Sequence, residues 1–223
     1  MSSSGHPPSN SAFAALRSYM RERAPAGAPI ERCELCKLPL ADVHPHLLDP
    51  ATRKVTCACD ACAILFANDA TTRFRRIPRR IRYLPGFRMT DGQWDALSIP
   101  INLAFFFHST PAGHVVALYP SPAGPTESLL SLESWDEIVR ENPVLATMEP
   151  DVEALLVQRI RGAHGGAGAE HYVAPIDECF KLVGLIRTNW RGLSGGTVVW
   201  EEIARFFEEL KHRATVIGEA SHA

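Results

Sequence analysis

Residues 57–66 read CACDACAILF, three cysteines within six positions and then an apolar run, and residues 33–36 upstream read CELC. Two residues separate Cys33 from Cys36 and two separate Cys59 from Cys62, with 22 residues between the pairs. A CxxC turn aims two thiolates at one ion, and its backbone amides can donate to the sulfurs. Two such turns close a tetrahedron of the kind that structural zinc occupies. Between the pairs, HPHLLDPATRKVTC (44–57) reads as a hairpin with its turn at DPAT, because Asp and Pro favour turns. After the second pair, AILFAN (63–68) continues as a helix, whose N-terminal dipole favours thiolates beside it. Knuckle, hairpin, knuckle and helix predict a small four-cysteine zinc-ribbon or treble-clef-like module over 30–70, with Cys33, Cys36, Cys59 and Cys62 as ligands.

A second argument for a metal comes from size. About 40 residues with few large apolar side chains bury too little surface to fold alone. A structural zinc contributes about 10–16 kcal/mol of binding free energy, which becomes folding free energy. Cys57, His44 and His46 are further candidates, with Cys57 the possible substitute ligand; the repeated CxxC spacing favours Cys59 over it, and the two histidines read as exposed hairpin residues beside Pro45. Zinc is the expected occupant, and iron is the alternative for four thiolates. The segment also has the CxxC, central histidines and second CxxC of an HNH-nuclease frame, but no histidine follows Cys62 closely.

Beyond the cysteines, 46% apolar and 22% charged residues fit a globular chain, and no apolar run reaches the roughly 18–20 residues of a membrane span. The first residues, MSSSGHPPSNS, lack a basic stretch followed by an apolar one, so the expected location is cytoplasmic, where close cysteines serve metals or redox chemistry rather than disulfides. Residues 1–29 are rich in Ser, Pro, Ala and Gly, with one short amphipathic turn through Phe13, Leu16 and Met20, and are expected to be a disordered tail.

The net charge of −2 hides a division: residues 1–88 carry +7 and the remainder −9. Much of the positive charge falls in the connector 71–88, where Arg73, Arg75, Arg76, Arg79, Arg80 and Arg82 alternate with Phe74, Ile77, Ile81 and Tyr83. Such a stretch suits an acidic protein partner, a nucleic acid, a charge-guarded edge strand, or the acidic half of the same chain. The slightly negative total disfavours nucleic acid as the main partner.

Residues 89–215 predict an α+β domain, an antiparallel sheet covered by helices. Thr90 caps a short helix through DGQWDALS (91–98), and INLAFFFHS (101–109) and HVVALYP (114–120) flank TPAG as a hairpin of buried strands. LESWDEIVREN (132–142) is a helix capped by Ser131 or Ser134 and stopped at Pro143. VEALLVQRI (152–160) reads as a strand paired with AEHYVAPI (169–176) across the loop RGAHGGAG; a helix opened by Pro150 is the rival. PIDECFKLVGLIRTNW (175–190) carries Cys179, Leu182, Val183 and Ile186 on one helical face, and 198–214 forms a last helix. A disordered tail is expected over 216–223. GLSGG (192–196) matches G-x-S-x-G, but a helix precedes it where a nucleophile elbow needs a strand, so Ser194 reads as part of an interhelical turn. Cys179 reads as a buried structural cysteine, and His108 and His114 as turn residues.

Several long stretches, among them CELC with CACDACAILF, YLPGFRMTDGQWDALSIPINLAFFFHS and PIDECFKLVGLIRTNWRGLSGGTVVWEEI, resemble an uncharacterised bacterial family, the domain-of-unknown-function family numbered 5947. The resemblance covers nearly the whole chain from about residue 30. It implies an accessory role for a high-affinity nickel–iron uptake hydrogenase, beside which such proteins are encoded, with a hydrogenase subunit or maturation factor as partner. It carries over no catalytic residue. The expectation is therefore a non-enzymatic zinc-binding accessory protein, with a rubredoxin-like iron electron carrier and a zinc-dependent nucleic-acid binder as alternatives.

Overall fold

The computed structural model describes residues 30–67, 72–128, 132–159, 168–192 and 194–218. The turn at 13–20, Ser131, most of the loop before 169 and the last five residues lie outside them. The chain divides into Met1–Glu31 and a compact unit, Arg32–Ala223. It is α+β, as expected. Among the described residues, no helix is long and apolar enough to cross a membrane.

Two sheets form. The small one has the order β2-β1-β3, from β1 (His46–Asp49), β2 (Lys54–Cys57) and β3 (Arg75–Arg76). The β1–β2 hairpin turns where the sequence predicts. The buried Asp49 carboxylate accepts from the Ala51 amide at 3.1 Å and from Arg73 Nε at 2.9 Å, the local pattern that makes Asp a turn residue.

The large sheet has seven strands in the order β10-β4-β9-β8-β5-β6-β7. They are β4 (Arg82–Tyr83), β5 (Leu103–Ser109), β6 (His114–Ser121), β7 (Gly124–Glu127), β8 (Glu153–Gln158), β9 (Glu170–Pro175) and β10 (Thr215–Val216). All pairs are antiparallel except β10 with β4. The β5–β6 hairpin and the β8–β9 pair match the sequence reading. The two-residue strand β10 was not foreseen: it joins Thr215, the expected last residue of the domain, to Val216 just beyond it.

The unbroken apolar run in β5 has a simple cause. Alternate residues point to opposite faces of a strand, and both faces here are covered. Leu103, Phe105 and Phe107 join a core with Leu156, Tyr172, Ile176, Cys179 and Phe206, whereas Ala104 and Phe106 join one with Trp94, Trp135, Leu155 and Val173. The first face lies under α4 (Ile176–Asn189) and α5 (Gly196–Arg213). The second packs on α2 (Asp91–Ala96), α3 (Leu132–Glu141) and a 3-10 turn, Pro143–Thr147. Thr90 caps α2 with a full capping box. β1 divides in the same way: Leu48 belongs to the core under α4 and α5, while Leu47 faces the cysteines.

α4 and α5 meet through the GLSGG turn. Gly195 has φ +86, and a Cβ there would sit 2.8 Å from Val199 Cγ1 and 3.1 Å from the Trp190 ring. Only glycine fits that close left-handed turn. A helix, not a strand, precedes Ser194, so the nucleophile-elbow context is missing.

His171 on β9 is buried and stacks on Phe87 at 4.4 Å. Burial, aided by the charge of Arg159, depresses its pKa from 6.5 to about 4. The native chain thus keeps His171 neutral over a range where the unfolded chain takes up a proton. Stability should fall as pH drops from 6.5 through about 4, by at most about 3 kcal/mol from this residue. Urea unfolding of His171→Phe beside the wild type at pH 7 and pH 4 should show a smaller acid loss in the variant; equal losses would exclude His171 as the source.

Candidate metal centre

Cys33 and Cys36 sit on a tight turn. The Cys33 amide donates to Leu38 O at 2.8 Å, the Lys37 amide to Cys33 O at 2.8 Å, and Lys37 itself is left-handed at φ 67. Cys59 is the N-cap of α1 (Asp60–Phe66), and Cys62 lies in that helix's first turn. The two knuckles are tied together by Glu34, whose amide donates to Cys57 O at 2.9 Å and whose carboxylate accepts from the Cys57 amide at 3.0 Å.

The four sulfurs lie within 4.8 Å of one another, and Cys36 Sγ is 3.6 Å from Cys59 Sγ. A tetrahedral ion with metal–sulfur bonds of about 2.3 Å spaces its sulfurs by about 3.8 Å. The four thiols are therefore positioned to bind one metal ion without a change of backbone. Cys33 and Cys62 are buried and Cys36 is exposed. Around them is a small core of Leu47, Ala58 and Ala63, little apolar surface for a module of this length.

The electrostatics fit the same use. Burial raises the Cys33 thiol, but hydrogen bonds from the backbone amides of Cys36, Cys59 and Leu35 outweigh it and bring the pKa down to about 6. Burial, with the neighbouring thiols, pushes Cys62 up to about 12. The cluster thus holds one ready thiolate and at least one thiol that needs a cation before it loses its proton.

Cys57 does not join this group. It lies with His44 and His46, and the donor atoms of those three fall within 4.8 Å of one another. His46 was expected to be an exposed hairpin residue. It is half-buried, and Asp177 at the start of α4 accepts from its Nδ1 at 2.6 Å. That contact spans 131 residues of sequence, so no local pattern marks it.

The arginine stretch divides. Arg73 pairs with the buried Asp49. Arg80 grips the fully buried carboxylate of Glu153 at 2.8 and 3.0 Å, and Arg82 reaches it at 3.3 Å and Thr147 at 2.7 Å. All three serve their own chain, and Arg80 and Arg82 serve its acidic half. Arg75, Arg76 and Arg79 make no ion pair among the described residues; Arg75 is half-buried and the other two are exposed.

Cys179 is fully buried, and desolvation holds its thiol well above the ordinary value. His108 and His114 are not opposite each other: the β5–β6 register pairs His114 with Ser109 and His108 with Val115. A cavity of about 590 Å³ between β5, β6, α4 and α5, lined by Leu103, Tyr119, Ile186, Trp190 and Trp200, was also not foreseen. Its walls come from four distant segments, so no local motif marks it.

A family model described as a family of unknown function, DUF5947, matches residues 32–214. No curated protein and no solved structure matches the chain.

Proposed function

We propose that this chain, which belongs to the family of unknown function DUF5947, is a non-enzymatic accessory protein whose four-cysteine centre carries zinc. The observation that supports this is the set of thiols at Cys33, Cys36, Cys59 and Cys62, already spaced for a tetrahedral ion. So small a surrounding core gives the ion a structural task, and redox-inactive zinc suits that task better than iron. A partner with an acidic surface docks at Arg75, Arg76 and Arg79, where guanidinium groups beside Phe74 and Pro78 offer bidentate contacts with carboxylates and some apolar area. The partner we propose is a subunit or maturation factor of a nickel–iron hydrogenase; the support for this is the genomic setting that the family resemblance implies.

One purification tests both halves. The full chain, isolated from its native extract without added metal, should be colourless, contain zinc and retain its partner at low salt. The triple change Arg75→Glu, Arg76→Glu and Arg79→Glu should keep the zinc and lose the partner. A red, iron-containing protein would replace the structural role by electron transfer, and a triple variant that still holds its partner would place the docking surface elsewhere.

A further inference from the structure

We propose that His44, His46 and Cys57 form a second metal site, distinct from the four-thiolate centre, which takes a zinc-class divalent cation through three donors and leaves a coordination position that no other donor among the described residues fills. Strand geometry brings the donors together. His44 lies two residues before His46, the first residue of β1, and one donor atom of each comes within 4.8 Å of the other and of Cys57 Sγ. The β1–β2 register sets His46 directly opposite Cys57. All three are half-buried, and the His44 Nε2 atom is itself buried. The two imidazoles meet edge to face, with centroids 4.9 Å apart and planes at 82°, so neither ring blocks the other from a shared ion.

The hydrogen bonds on the far side of each ring fix the tautomers. Asp177 Oδ2 lies 2.6 Å from His46 Nδ1, and Ala41 O lies 2.9 Å from His44 Nδ1. A carboxylate and a carbonyl can only accept, so both Nδ1 atoms carry hydrogen. In the neutral rings the lone pair then sits on Nε2, the nitrogen that would ligate. A ring N–H held by a carboxylate or a backbone carbonyl is the usual outer support of a metal-binding histidine, and it raises ligand basicity. Asp177 is itself oriented, since its other oxygen accepts from the Glu178 amide at 2.9 Å.

The two centres differ in chemistry. Four thiolates around a divalent ion carry a net charge of about −2 and leave no vacancy, the arrangement of a structural site. Two imidazoles and one thiolate around the same ion carry about +1 and leave a fourth position, as in catalytic zinc sites. That position favours an anionic ligand: hydroxide from water, or a carboxylate or thiolate supplied by a bound molecule.

The test is metal stoichiometry. The metal-free, reduced full chain is titrated with Zn²⁺ against a chromophoric chelator, and in parallel with Co²⁺, whose thiolate absorptions grow with the number of sulfur ligands. The wild type should take up two equivalents. Cys57→Ala and His46→Ala should each take up one and keep the intense four-thiolate cobalt spectrum. Cys36→Ser should lose that spectrum and keep the weaker one. Asp177→Asn should keep both equivalents but bind the second about 10- to 100-fold more weakly. Should Cys57→Ala fail to fold, His44→Gln carries the same expectation. A single wild-type equivalent that survives Cys57→Ala overturns the second site. A single equivalent that Cys57→Ala abolishes supports the second site and overturns the four-thiolate one instead.

Discussion

Replacing Cys33, Cys36, Cys59 or Cys62 by serine is expected to remove the ion from the knuckles and to unfold the segment around them, while the seven-stranded sheet persists. A structural zinc binds with about 10–16 kcal/mol, so one thiolate in four accounts for roughly 3 kcal/mol or more, a loss of affinity of a hundredfold or greater. The core beside the thiols is Leu47, Ala58 and Ala63, too small to hold the knuckles alone. Hydrogen exchange should show amides of 33–38 and 59–63 losing protection, with those of β5 and β8 unchanged. Cys57→Ser should leave the four-thiolate ion in place. If Cys57→Ser removes it and Cys59→Ser does not, the ligand set is wrong.

Glu153→Gln should be the most damaging single change in the larger sheet. The carboxylate is fully buried and accepts from Arg80, Arg82 and the Glu149 amide. Removing one partner of a buried ion pair costs about 3–5 kcal/mol, because the other charge is left desolvated. Arg80 is half exposed and can turn to solvent, but Arg82 is only 15% exposed, so a value near the lower bound is expected. Glu149→Gln, at an ion pair whose side chains are both about half exposed, should change stability by less than about 1 kcal/mol. The sign with pH follows. Burial opposes the charge of Glu153, but Arg80 and the Glu149 amide outweigh burial and hold its carboxyl below the usual range. Its contribution is present above the unfolded value of 4.5 and is lost as pH falls through the folded one. Urea unfolding of the two variants at neutral pH checks the ranking; equal effects would show that the buried pair carries no special weight.

The features legible in the sequence are those set by local spacing. The two CxxC turns, the hairpin at 49–52, the β5–β6 pair and the face of α4 that carries Cys179, Leu182, Val183 and Ile186 all follow from periods of two, three or four residues. The features that were not legible depend on distant partners. Nothing near Glu153 says that a charge inside VEALLVQ will be buried, because the arginines that neutralise it lie more than 70 residues away. The same holds for Asp177 against His46. The arginine stretch looked like one surface because its charge is continuous along the chain. The two short strands β3 and β4 pair its backbone with the chain's own sheets, Arg73, Arg80 and Arg82 turn to carboxylates of the same chain, and the side chains of Arg75, Arg76 and Arg79 make no ion pair among the described residues. Spacing presents Cys57 only as a rival to Cys59, since it says nothing about which sulfur faces which histidine.

The alternation in β1 also bears on the order of assembly during synthesis. Leu47 belongs to the cysteine cluster, but Leu48 belongs to a core that includes residues as late as Leu210. A ribosome makes the thiols first, and the far wall of Leu48 emerges well over a hundred residues later. Until then β1 has only one of its two faces covered, and a one-residue slip would exchange Leu47 with Leu48. Capture of an ion by the knuckles would pin the register of β1 while the chain is still growing. In that sense the metal acts as a placeholder for the unmade half of the protein.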